Sequence, residues 1–83
     1  MIEQHHFDEA RAMITTAGWG ADKSPQWHDG LLNCVSWHLA GMPQGYGRSA
    51  CPYDVKTAER DAWLDGWHTG QAACEREGIG GAE

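Results

Sequence analysis

The strongest constraint in this sequence is a helical pattern of large and small residues in its last third. The spacing i, i+4, i+7, i+11 places four residues on one helical face: Trp63, Trp67, Gly70 and Cys74. The opposite face is mostly acidic, as in an amphipathic helix. Asp54 and Thr57 are the candidate N-caps and Gly78 is the expected stop, so a helix over about 55–77 is predicted.

Two further helices are predicted upstream. Apolar residues at helical spacing favour a first helix over about 7–17, which Gly18 ends. Ser24 followed by Pro25 is a strong helix start, because serine caps the N-terminus and proline fits the first turn. This second helix is expected over about 25–40, with a broad apolar face suited to contact with two other helices.

These elements predict one domain, residues 1–83, of the all-α class. We expect a small three-helix fold in which the second and third helices form an antiparallel hairpin. Residues 1–6 are expected to be loose and the glycine-rich tail 78–83 to be flexible. The sequence shows no strand-like alternation, and no internal repeat is identified.

The segment before the third helix carries a recognisable pattern. It reads Gly47-Arg48-Ser49, Cys51-Pro52-Tyr53, Arg60, Trp63-Leu64 and Gly66-Trp67. In order and spacing, this pattern resembles ribosome modulation factor and its small relatives in bacteria and phages. The resemblance covers about 47–73 and implies two helices joined by a loop, no catalytic residue, and binding to the ribosome. It predicts a small non-enzymatic module that modulates or inhibits a larger macromolecular complex.

The charge balance suggests a different kind of partner. Six Lys and Arg stand against twelve Asp and Glu, giving a formal net charge of −6. Direct binding to nucleic acid usually shows as a basic patch, and the six basic residues form no run. An acidic protein of this size fits a basic protein surface. The alternative function is therefore a phage-encoded inhibitor of a host nucleoprotein defence complex, such as a CRISPR surveillance complex.

Five residues are candidate contacts for a protein or ribonucleoprotein partner: Asp54, Asp61, Asp65, Trp19 and Trp37. The aspartates belong to the acidic side of the third helix, where like charges four residues apart weaken a helix slightly. The two tryptophans leave the main apolar stripes, and tryptophan is a common hot-spot residue at interfaces. Trp63 and Trp67, in contrast, are expected in the core.

A thiol- or metal-dependent enzyme is the competing class. Cys34 and His38 lie four residues apart on one helical face, and Cys51 or Cys74 could join them in a zinc site. No Cys-x2-Cys pair is present, so buried thiols without metal, cofactor or catalytic role are expected.

The three cysteines, without a secretory signal, are expected to be reduced in the cytoplasm. No apolar run reaches the length of a membrane span, so no membrane partner is expected.

Overall fold

The computed structural model describes residues 3–42 and 51–78. Within them lie three helices and no strand: α1 (Gln4–Ala17), α2 (Pro25–Leu39) and α3 (Ala58–Glu77). The predicted all-α, three-helix class is confirmed. Residues 43–50, which follow α2, and the tail beyond Gly78 lie outside the described residues.

Helix α1 begins at Gln4 rather than at the expected position 7. Glu3 is its N-cap, and it forms a capping box with His6. The backbone N–H of Glu3 donates to His6 Nδ1 at 2.9 Å, and the backbone N–H of His6 donates to the Glu3 carbonyl at 2.9 Å. These reciprocal bonds satisfy backbone donors that would otherwise be free. Residues 4–6 are therefore helical rather than loose, and α1 ends, as expected, at Gly18 in the left-handed conformation, with φ 71°.

Helix α2 starts as its sequence predicts. Ser24 Oγ accepts the backbone N–H of Trp27 at 3.2 Å, and Pro25 is the first helical residue. The helix ends at Leu39, followed by Gly41 with φ 87°.

Helix α3 uses the second of its two candidate caps. Thr57 Oγ1 accepts the backbone N–H of Arg60 at 3.1 Å and donates to the Asp54 carbonyl at 2.7 Å. Lys56 has φ 66°, a left-handed conformation that interrupts helical geometry. The helix therefore begins at Ala58 rather than near 55, and Asp54 lies in the preceding loop.

Helices α2 and α3 form the main packed pair, and their contacts follow the same order along both helices. Gly66 of α3 lies against Trp27 and Leu31, and Gly70, one turn later, lies against Leu31 and Cys34. The start of α2 and the first turns of α3 also border a common shallow cleft. The two helices thus run in the same general direction, whereas an antiparallel hairpin was expected.

The core consists of two adjoining clusters of buried residues. The first joins α1 and α2 with one residue of α3: Ala10, Ile14, Trp27, Leu31, Val35 and Cys74. The second lies between α2 and α3 and contains Cys34, Trp63 and Trp67. Trp63 and Trp67 are 0% and 2% exposed, so the aromatic face of α3 is part of the core, as its spacing predicts. Each buried tryptophan removes about 150–250 Å² from water, which allows so short a chain to assemble a core.

Candidate functional site

Two reciprocal hydrogen bonds connect α2 and α3. Trp27 Nε1 donates to Asp65 Oδ2 at 2.9 Å, and Trp63 Nε1 donates to Asp29 Oδ2 at 3.0 Å. Each indole therefore has the charged acceptor that a buried N–H requires, and the acceptor lies on the partner helix. The bonds fix the rotation of each helix relative to the other.

Two glycines allow the helices to approach closely beside these bonds. A β-carbon at Gly30 would collide with the carbonyl oxygen of Trp63, and one at Gly66 would collide with the carbonyl oxygen of Trp27. Both glycines are buried within helices, where glycine costs about 1 kcal/mol relative to alanine. The cost is offset by backbone contact that no larger residue permits.

The two halves of this arrangement share one sequence pattern that hydrophobic periodicity does not reveal. Trp-x-Asp-Gly occurs at 27–30 and again at 63–66, in the same register of the two helices. Each copy supplies one indole donor, one carboxylate acceptor and one glycine, so the helix pair has an approximate internal two-fold relationship. The signal was visible as a four-residue repeat; only the structure shows that its two copies bind each other.

This arrangement gives Asp65, one of the predicted contact residues, a structural role. Asp65 was assigned to the acidic interaction face, and its side chain is exposed, but its Oδ2 holds Trp27. Asp54 and Asp61 are also exposed, and neither makes a side-chain hydrogen bond or ion pair within the described residues. Glu59 shares the first turn of α3 with Asp61, where negative charge favours the helix dipole. The acidic surface available to a partner therefore centres on Asp54, Glu59 and Asp61.

An aromatic rim lies along the Trp63–Trp67 pair. Those two indoles stack with centroids 5.4 Å apart and planes 15° apart, and Trp37 packs on Trp67 at 5.5 Å and 40°. The rim comprises the half-buried residues that cover this stack: Trp37, Cys51, Tyr53 and Leu64. Tryptophan and tyrosine are enriched among the residues that contribute most to binding at protein interfaces, so Trp37 and Tyr53 make the rim a candidate contact surface.

Five described residues of the pattern at 47–67 lie at this rim or in the stack beneath it: Cys51, Tyr53, Trp63, Leu64 and Trp67. The guanidinium of Arg60 donates through Nη1 to the Tyr53 carbonyl at 3.4 Å, which connects α3 to the loop before it. Cys51 and Tyr53 flank the exposed Pro52 and pack towards the stack, while Gly66 lies at the helix contact. The loop 51–57 is thus held to α3 at three points: the rim contacts, Arg60 and the cap at Thr57. Positions 47–49 lie outside the described residues.

Trp19, the other aromatic contact candidate, belongs to a different part of the molecule. It lies in the turn between α1 and α2, half-buried, with left-handed glycines on both sides: Gly18 has φ 71° and Gly20 has φ 65°. It packs against the first core cluster, whereas Trp37 packs against the second. The structure therefore separates the two tryptophans into distinct surfaces.

Within the described residues, no group of three or more His, Cys, Asp or Glu side chains is placed to hold a metal ion. Cys34 and Cys74 are buried, and burial raises the pKa of both thiols, that of Cys74 to about 11. For Cys34, the neighbouring Cys74 and Glu75 raise the pKa further. A thiol with a raised pKa stays protonated at neutral pH and is a poor nucleophile. Cys51 is half-buried rather than buried, and His38 packs edge-on against Trp37 at 5.3 Å.

Comparison with protein-family models, with curated proteins and with solved structures finds no match for this chain. Among the described helices, none has both the length and the apolar composition needed to cross a bilayer.

Proposed function

We propose that this protein is a small non-enzymatic binding module that uses its aromatic rim to dock on a larger ribonucleoprotein complex and modulate it. The observation that carries the proposal is the convergence of Cys51, Tyr53 and Leu64 around the Trp63–Trp67 stack. These are residues of the pattern that resembles ribosome modulation factor. In the structure they are half-buried and, together with Trp37, pack against the buried cluster that contains the stack.

Two properties of the rim support a binding role. Its aromatic members are held in place by the stack beneath them, so little side-chain entropy is lost when a partner covers them. The loop that carries Tyr53 is fixed by Arg60 and by the cap at Thr57, so the backbone is also ordered before binding. Preorganised aromatic side chains are the residues that contribute most to binding energy at interfaces.

The resemblance makes the ribosome the first partner to test. Purified protein is mixed with bacterial ribosomes and sedimented through a sucrose cushion, and bound protein is quantified. We expect co-sedimentation that Trp37→Ala weakens by at least tenfold. Trp19→Ala is the matched control, since it removes an equally large, half-buried indole from a different surface. Co-sedimentation that both variants retain in full would reject the rim as the contact surface.

The exposed carboxylates near the rim favour a second candidate function. Asp54, Glu59 and Asp61 lie on or just before the first turn of α3, and their charges would repel the phosphates of ribosomal RNA. A basic protein surface would attract them. In this alternative the rim and the nearby carboxylates bind and inhibit a nucleoprotein defence complex of the CRISPR surveillance type. If the protein does not co-sediment with ribosomes, the same variants are tested for binding to such a complex.

A further inference from the structure

A cleft between α1, α2 and the turn that joins them has the composition of a small-molecule site. Its volume is about 300 Å³, at the lower end of the range for ligand pockets. Apolar side chains of Ile14, Trp19 and Leu32 line it together with Arg11 and His28. Apolar walls with a few polar groups are typical of sites for small organic ligands.

The aromatic wall of the cleft is held in place. His28 Nε2 donates to the Gly20 carbonyl at 2.6 Å, which fixes the turn that carries Trp19 against α2. The Trp27 ring lies against Gly20, where a β-carbon would collide with it. The wall therefore does not have to be ordered when a ligand binds, which favours affinity.

Arg11 gives the cleft its chemical preference. It is exposed, and among residues 3–42 and 51–78 it makes no ion pair or hydrogen bond. Asp8, one turn earlier on α1, instead accepts from the Gln4 side chain at 3.0 Å. An arginine without a partner at the edge of an apolar cleft is suited to binding a carboxylate through two parallel hydrogen bonds.

We propose that this cleft binds a small planar aromatic monocarboxylate, with its ring against Trp19 and its carboxylate on Arg11. The net charge of −6 favours a single negative charge over a multiply charged anion such as a phosphate ester, because the field of the whole protein repels added negative charge. The site is independent of the proposed docking function, since it uses α1 and the following turn rather than the aromatic rim.

The test uses two probes of the same shape, indole-3-acetate and its neutral amide indole-3-acetamide. Each is titrated into ¹⁵N-labelled protein at low salt and followed by NMR. We expect saturable shifts at the Trp19 indole and the Thr15 amide, with an affinity near millimolar, as the size of the probe implies. The acetate should bind about five- to tenfold more tightly than the amide.

Two pairs of variants make the test specific. Arg11→Gln should abolish the preference for the acetate, while Arg76→Gln, a change at an exposed arginine paired with Glu77 at 3.7 Å, should leave it intact. Thr15→Trp should occlude the cleft and prevent binding of both probes; Thr16→Trp, on the neighbouring face of α1, should not. Absence of saturable shifts up to about 10 mM, shifts confined to the aromatic rim, or a preference that survives Arg11→Gln would each overturn the proposal.

Discussion

The indole of Trp27 donates a hydrogen bond to Asp65 at 2.9 Å, across 38 positions of the chain. The second bond, from Trp63 to Asp29, repeats the arrangement in the opposite direction. Asp65 is exposed, yet through this bond it helps to hold α2 and α3 together. Surface exposure alone is therefore a poor guide to which carboxylates of this protein are free to contact a partner.

The first prediction concerns this bond. Asp65→Ala leaves the Trp27 N–H without its charged acceptor and should lower the free energy of unfolding by about 1–2 kcal/mol. Asp65→Asn keeps a neutral acceptor and should lower it by less. Asp61→Ala is the control, since Asp61 makes no side-chain bond within the described residues. Loss of its first-turn charge is partly offset by relief of the like-charge pair with Asp65, so this variant should stay within about 0.5 kcal/mol of the parent. Urea unfolding followed by circular dichroism measures all three, and equal stability of Asp65→Ala and Asp61→Ala would contradict the prediction.

The second prediction concerns the close approach of α2 and α3. Alanine normally stabilises a helix relative to glycine by about 1 kcal/mol. Gly30→Ala and Gly66→Ala should instead destabilise the fold by about 3 kcal/mol or more, because the new methyl group meets rigid backbone. At Gly70 an added β-carbon would meet only side-chain atoms of Leu31 and Cys34, at 3.0 Å or more, so Gly70→Ala should have a smaller effect. Thermal melts of the three variants give the ranking, and a stabilised Gly30→Ala would refute it.

The third prediction concerns the aromatic stack. Trp63→Ala or Trp67→Ala removes a fully buried indole and should cost about 3–5 kcal/mol, enough to unfold a domain of this size. Trp37→Ala removes a half-buried indole and should leave a folded protein with a lower melting temperature. Far-ultraviolet circular dichroism distinguishes these cases. If Trp63→Ala and Trp67→Ala melt within a degree or two of the parent, the stack does not hold the core.

The fourth prediction concerns pH. Burial raises the pKa of Cys74 from its ordinary 9.0 to about 11 in the folded state. Below pH 9 this thiol is protonated in both states, and its contribution to stability is fully present. Between pH 9 and about 11 the unfolded chain loses the proton while the folded protein keeps it, so stability falls as pH rises.

The comparison of parent and Cys74→Ala isolates this effect from other titrating groups. The free energy of unfolding of the parent should decrease more steeply from pH 9 to 10.5 than that of the variant. Parallel pH profiles for the two proteins would show that the Cys74 thiol ionises as freely in the folded state as in the unfolded chain.

The fifth prediction separates the two partner classes. A double change, Asp54→Lys with Asp61→Lys, reverses exposed charges near the rim without touching the Trp27–Asp65 bond. If the partner presents a basic surface, association should slow and binding should weaken further as salt rises, since exposed charges are screened over about 8–10 Å. If the partner presents RNA phosphates, the same change should strengthen binding.

A melting temperature within a few degrees of the parent's is the control for the charge-reversed variant, because reversing the charge of Asp61 in the first turn of α3 removes some helix-dipole stabilisation. Tighter binding of this variant to ribosomes would contradict the basic-surface alternative. Loss of binding to a protein partner by a variant that remains folded would support it.

The sequence alone determined the helices and most of their ends. The caps at Ser24 and the stops at Gly18 and Gly78 act through contacts within a few residues, and the burial of Trp63 and Trp67 follows from helical spacing. Local sequence signals did not decide the start of α3, where two residues were candidate N-caps. Thr57 rather than Asp54 caps α3, because Lys56 adopts a left-handed conformation that local propensity does not predict.

Tertiary structure alone decided how the helices meet. Spacing shows which face of a helix is apolar, but it does not show the direction of the neighbouring helix or the atoms that face each other. Gly30 and Gly66 let two backbones touch, and that contact brings Trp27 to Asp65 and Trp63 to Asp29. The role of Asp65 follows from that contact, because a side chain's partner across the fold depends on packing geometry that no local pattern encodes.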